Sequence, residues 1–289
     1  MTDAAVVQRR TFGVLRWVVI VVLALVTIFP FYYMVLLSFV PVSEILQNPG
    51  RLYVPLSDIT FGTYAKVLSP ASDGGQGFLE FMRNSGIVAL CTVIITLTIS
   101  VLGAYAVARL DFFGRRKVST LFLAVYLFPA VVLAGPLYIA FAKLGLTSSL
   151  VGLTLIYVAL TVPISIHMLR GYFQTIPVSI EEAAMIDGCG RFAMLRRVTL
   201  PLSMPSIMST ALYIFMIAWN EFLFALLFLT GDRNKWTVSL GLSQLTNGIE
   251  VPKTTLMAGS VILTIPIVLL YGIAERTLTD GRTAGADKG

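Results

Sequence analysis

Residues 181–201 read EEAAMIDGCGRFAMLRRVTLP, a compact charged module lying between two long apolar runs. Just before it, Ser179 and Glu182 have the S-x-x-E spacing of a capping box, in which the hydroxyl takes an amide of the first turn and the carboxylate reaches back. That spacing predicts a helix starting there, with Glu181 and Glu182 at its positive end, Ile180, Ala183 and Ala184 on one small apolar face, and Gly188 closing it. Its length is about two turns. A second short helix is predicted over 191–198, with Phe192 and Leu195 on one side and Arg196 and Arg197 toward water or headgroups. Two stub helices at an angle make a protruding knob; an interfacial re-entry helix with its arginines among headgroups fits the same spacing.

What the knob projects from is set by the rest of the chain. Of 289 residues, 57% are hydrophobic and 12% charged, and the mean hydropathy is +0.86. Charges so few and so clustered cannot cover a soluble surface, so the solvent of this fold is lipid. Crossing a hydrocarbon core of roughly 30 Å takes about 20 apolar residues of helix. Six segments meet that length: 14–39, 85–108, 118–142, 150–169, 206–229 and 256–274. The expected fold is an all-α membrane protein with six transmembrane helices. Arg9, Arg10 and Arg16 precede the first run, which is too long for a secretory leader, lacks a small-residue cleavage site, and so reads as a retained span.

Basic residues are retained on the cytoplasmic side. With the N-terminus inside, most of the 21 Lys and Arg fall there, including the cluster Arg109, Arg115, Arg116, Lys117 and the group Arg170, Arg191, Arg196, Arg197. Helix dipoles choose the same topology, because Arg109, Arg170 and Arg276 each end an inward-running span. The expected division is a cytoplasmic N-terminus 1–13, a first transmembrane helix 14–39, an external loop 40–84, a five-helix core 85–274 that includes the loop 171–205, and a cytoplasmic tail 275–289. No internal repeat is visible. The net charge of +6 then reflects membrane anchors, and nucleic acid is not an expected partner.

Several chemistries are missing. Cys91 and Cys189 are too far apart in the topology to pair and are expected as free thiols, and with one His they form no metal set. No nucleophile, base or paired carboxylates stand together in a catalytic pattern, and no G-x-x-x-x-G-K-[ST] sequence occurs. Within the spans the one acidic residue away from a helix end is Glu221, flanked by Trp219 and Asn220. A carboxylate there either faces a translocation path, where Trp, Asn and Glu together suit a sugar, or braces a neighbouring helix. One such group is not a proton relay, which argues against an ion-coupled secondary transporter.

The module resembles a known family. Glu182, Ala183, Ala184, Asp187 and Gly188, then Leu200 and Pro201, match the EAA...DG...LP loop of ABC importer permeases, with Val198 standing where Ile is commonest. Asn84 and Ser85, AYAVARLDFFGRR from Ala104, FPAVVLAGPLY from Phe128, GYFQTIP from Gly171, AWNEFLFAL from Ala218 and TAGADKG from Thr283 look like its carbohydrate-importing, maltose-type branch. The resemblance implies a type I importer permease: no enzyme, but a multi-pass subunit of a bacterial inner membrane forming half of a pore. It implies a second permease subunit, two copies of a cytoplasmic ATPase that carry the ATP and Mg, and an external sugar-binding protein. This chain itself would bind no cofactor. By the same resemblance Glu181, Glu182, Ala183, Ala184, Asp187, Gly188, Phe192, Leu200 and Pro201 would dock the ATPase through a coupling helix. Trp236, Asn247 and Glu250 in the external loop would meet the binding protein. The sugar is not named by these motifs, and a related solute such as glycerol phosphate is the alternative.

Overall fold

The computed structural model describes residues 3–47, 52–247 and 252–286. They are helical with no strand: α1 (Asp3–Ser38), α2 (Val42–Gln47), α3 (Gly62–Leu68), α4 (Phe78–Arg109), α5 (Arg115–Leu127), α6 (Ala130–Lys143), α7 (Leu150–Phe173), α8 (Val178–Ile186), α9 (Arg191–Met194), α10 (Leu200–Leu202), α11 (Met204–Asn220), α12 (Leu223–Leu229), α13 (Val238–Asn247) and α14 (Lys253–Ala286). Helix dominates because a backbone in lipid must satisfy its N–H and C=O groups within its own segment. Phe12–Ser38 of α1, all of α4 and α7, and Lys253–Glu275 of α14 are each long and apolar enough to cross a membrane.

The other two expected spans are not straight. The third breaks at Phe128–Pro129, where α5 and α6 meet at 93°. Pro129 has no amide hydrogen to continue α5, and it pushes Phe128 into an extended conformation, φ −76° and ψ 129°. Pro136 and Pro163 lie inside helices that continue past them. The expected fifth span 206–229 is also interrupted: α11 ends at Asn220, Glu221 is extended at φ −63° and ψ 132°, and α12 restarts at Leu223. At its other end α11 turns by 79° from the segment Arg191–Leu202.

The chain packs as two units, Met1–Gly77 with Leu245–Ile262 and Phe78–Gln244 with Leu263–Gly289. In the first, the apolar run of α1 is exposed on every side. The chain beyond α1 is tied back to its end, with Ser38 Oγ 2.7 Å from the Tyr64 hydroxyl and the Thr60 amide donating to Phe39 O at 2.9 Å.

In the second unit α4 and α7 form the most extensive helix pair. Their seam is lined by small hydroxyl residues, Thr92, Thr96 and Ser100 facing Thr161, all buried. Small residues let membrane helices approach, and their hydroxyls bond across the gap. Thr96 and Thr161 are joined at 2.9 Å while Thr161 also donates to Tyr157 O at 2.7 Å. Gly103 continues the seam, since a Cβ there would lie 3.1 Å from Ile166 Cδ1. Ala104, Tyr105, Ala108, Leu169, Phe173 and Leu195 extend it into an apolar cluster at the Arg109 end.

The start of α7 depends on a close backbone approach. Ser149 caps it by accepting from the Gly152 amide at 3.5 Å, and a Cβ on Gly152 would fall 2.2 Å from Leu146 O. Because that neighbour is backbone, Gly152→Ala should destabilise the chain by about 1–3 kcal/mol. Thermal unfolding in detergent measures it, and an unchanged midpoint would disprove the close approach.

Candidate functional site

The 171–205 loop is built around a buried ion pair. Glu181 on α8 is 5% exposed, and its Oε1 lies 3.0 Å from Nε of Arg109, the last residue of α4. Arg109 Nη2 donates to Ile176 O at 2.8 Å, and Thr199 Oγ1 donates to the same carboxylate oxygen at 3.2 Å. The pair therefore joins the end of α4, the entry to α8 and the exit of the loop. Leu195 and Ile176 carry the apolar cluster beneath it, with Leu200 packed against its edge. A cavity of about 250 Å³ opens beside the pair, walled by Tyr105, Val178, Met185, Arg191 and Met194.

Two local expectations change. Ser179 does not cap α8, which starts at Val178 after Pro177 with no side-chain cap. The fixed φ of proline, −57° at Pro177, pre-sets the helical start ahead of Ser179, so the capping box is not formed. The second short helix is α9, followed by a π-helical turn over Leu195–Thr199. The expected shared side does not form: Phe192 is 73% exposed while Met194 and Leu195 are buried. The glycine stop at the end of α8 does form. Gly188 adopts φ +85°, its amide donates to Met185 O and the Cys189 amide to Ala184 O, both at 3.0 Å, the bond pattern of a Schellman motif.

Glu181 thus points into this chain and cannot be part of an outer docking face. Glu182, Ala183, Asp187, Gly188 and Pro201 are exposed, with Ala184 and Leu200 half-buried. The exposed rim gains Met185 and Ile186, the latter 87% exposed. Large apolar side chains displayed on a short loop at the end of a span form a small surface suited to a protein partner.

In the fifth span, Glu221 is a brace. Tyr157 OH donates to its Oε2 at 2.6 Å, and the amides of Phe224 and Ala225 donate to the same carboxylate at 3.0 and 3.2 Å. The carboxylate replaces the missing intrahelical acceptors at the start of α12. Trp219 is buried, stacks on Phe215 at 5.4 Å, and its Nε1 donates to Leu263 O at 3.0 Å. Asn220 alone of the three is exposed, its amide turned back to Met216 O at 2.9 Å.

At the opposite end of α4, Asn84 Nδ2 donates to the carbonyls of Asn234 (2.8 Å) and Trp236 (3.1 Å), and Ser85 Oγ accepts from the Val238 amide at 2.8 Å. Trp236 is half-buried, its Nε1 bonded to Leu229 O at 3.0 Å and its ring 5.8 Å from Phe81. Arg233 covers both rings, 5.3 Å from Trp236 and 5.9 Å from Phe81. Asn247 ends α13, and Glu250 lies outside the described residues. Cys91 and Cys189 are free thiols. No His, Cys, Asp or Glu cluster among the described residues could hold a metal.

Sequence reasoning missed the partners rather than the residues. As a basic residue at the end of a span Arg109 marks topology, and nothing in the 72-residue separation links it to Glu181. Asn84 and Ser85 stand in the sequence as a motif that does not name the loop they hold.

The chain belongs to the family of binding-protein-dependent transport system inner membrane components, whose model matches residues 99–280; it is a multi-pass permease subunit of an ABC transporter, and not an enzyme. It is 39% identical over 273 residues to the trehalose/maltose transport system permease protein MalG of Thermococcus litoralis, covering 93% of this chain and 94% of that one. It is 36% identical to the diacetylchitobiose uptake system permease protein DasC of Streptomyces coelicolor, over 98% of this chain and all of the other. A chain in the crystal structure of a bacterial ABC transporter that imports alginate superposes with a TM-score of 0.75 over 93% of this chain and 97% of that chain, at 24% identity, which establishes the fold.

Breaking a buried pair strands the surviving charge. Glu181→Ala should therefore cost about 3–5 kcal/mol, against less than about 0.5 kcal/mol for the exposed Glu182→Ala. Replacing both Arg109 and Glu181 by Met should recover much of the loss. Melting curves of the purified variants decide between this pattern and a surface role for Glu181, in which both single variants would behave alike.

Proposed function

We propose that this chain forms half of the translocation pore of an ATP-driven sugar importer and receives the ATPase stroke through its 171–205 loop. The observation that carries the reading is the two-sidedness of that loop. Its inner side is fastened to α4 by Glu181 and Arg109, while its outer side displays Met185, Ile186 and Phe192. A surface so fastened passes a displacement on to the spans instead of absorbing it. Glu182 pairs with a basic group of the ATPase, Ala183 and Ala184 permit close approach, and Gly188 supplies the bend between α8 and α9.

The loop and both termini face the cytoplasm, because the basic residues gather at that end. A second permease subunit completes the pore, two copies of a separate ATPase supply ATP and Mg, and an external binding protein delivers solute to the end carrying Trp236. Relatives named for trehalose, maltose and diacetylchitobiose support a carbohydrate. Of the former path candidates, Asn220 is the group free to face solute, since Trp219 and Glu221 are engaged in bracing.

Two substitutions test the loop. Glu182→Lys or Gly188→Trp should leave the complex membrane-inserted yet cut ATP-dependent sugar uptake by about tenfold or more, the loss of one charge-assisted contact or of the left-handed turn. Ile186→Asp should release the ATPase during purification. Normal uptake in all three, or uptake driven by an ion gradient without ATP, would defeat the proposal.

A further inference from the structure

Five side chains without a role in the loop converge at the Arg109 end of the second unit. Arg115, Arg116, Ser119 and Thr120 on the first turns of α5 and Arg170 in the last turn of α7 line a cavity of about 430 Å³. The lining contains three guanidinium groups, two hydroxyls and no carboxylate. Arg115 is already committed, its Nε and Nη2 donating to the end carbonyls of α4, Val107 O at 2.7 Å and Ala108 O at 2.9 Å. Arg170 donates through Nη1 to Ser119 Oγ, and its Nε is buried without an acceptor. Arg116 is exposed.

A buried guanidinium N–H without an acceptor, beside two more guanidinium groups, leaves a positive field and an unused donor that an anion relieves together. Planar guanidinium forks suit phosphate oxygens, and hydroxyls add neutral donors. The surroundings say which phosphate. The cavity sits where α7, a span-length helix, ends, the depth at which arginines meet headgroups. Beyond Thr120, α5 buries no residue and exposes Leu121, Leu123, Val125, Tyr126 and Leu127, with Leu123 and Leu127 one and two turns on from the cavity. A polar cavity continued by the exposed apolar length of one helix has the head-and-tail layout of a lipid.

We propose that this cavity holds the phosphate group of an anionic membrane phospholipid, with an acyl chain lying along Leu123 and Leu127. The site is independent of the loop's coupling role, because none of its residues belongs to the docking rim.

The test uses the full chain in phosphatidylcholine nanodiscs titrated with phosphatidylglycerol, read by native mass spectrometry and by melting. Phosphatidylglycerol should be retained and raise the midpoint, while phosphatidylcholine should not. The double variant Arg116→Gln/Arg170→Gln should lower phosphatidylglycerol occupancy by about tenfold or more, as loss of two charge-assisted contacts demands. Arg116→Gln alone, at an exposed position, should lower it by about threefold with the fold untouched, and Arg196→Gln/Arg197→Gln should leave it unchanged. Equal retention by the double variant or of phosphatidylcholine overturns the proposal. So does stabilisation by inorganic phosphate as large as that by the lipid, which would make the ligand a free anion. Loss of a co-purifying protein, with lipid retention unchanged, overturns it in favour of a protein occupant.

Discussion

At the end of α4 a guanidinium and a carboxylate have been removed from water together. Each would be expensive to bury alone, and their attraction offsets that cost only where geometry is good and the remaining donors are used. Here they are: Ile176 O takes a second arginine N–H, and Thr199 donates to the shared carboxylate oxygen. Four points of the chain, α4, the entry to α8, α8 itself and the exit of the loop, are thereby held at one place. Separating any of them exposes a lone charge to an apolar cluster that includes Leu169, Phe173 and Leu195. The Schellman turn at Gly188 and the packing of Leu200 then complete a loop whose position was already determined.

The same economy of polar groups governs the spans. Thr96 and Thr161 satisfy one another across the α4–α7 seam. Trp219 gives its N–H to Leu263 O, where α14 has a carbonyl to share. Glu221, the residue most suggestive of chemistry in an apolar chain, is occupied by a tyrosine and two amides. In each case a polar side chain in a membrane protein is explained by the backbone or side-chain group it bonds.

The sequence was most informative where one physical rule dominates. Apolar length located the four straight membrane-length helices, and the glycine at 188 foretold the left-handed turn found there. It was less informative where two rules compete. Ser179 and Glu182 have capping spacing, yet Pro177 starts the helix first. Phe192 and Leu195 share a face in a regular helix, yet only Leu195 is drawn into the apolar cluster while Phe192 stays exposed. Glu181 and Glu182 are adjacent and chemically alike, and composition does not say which faces inward; that is decided by Arg109, brought there by tertiary packing. The Phe128–Pro129 break was visible as a proline, but its 93° bend depends on where α6 can pack.

The carboxylate of Glu221 has a mechanical meaning beyond its hydrogen bonds. For the fifth span to straighten, Glu221 would have to leave its extended conformation, and the amides of Phe224 and Ala225 would exchange it for carbonyls one turn back. The released charge would then have to stay in the membrane with Tyr157 as its sole donor. That penalty makes the discontinuity a permanent joint rather than a spring: α11 and α12 can pivot about it as stiff rods, but neither can lengthen at the other's expense. A change of conformation at this joint would therefore reorient α11 and α12 as intact segments.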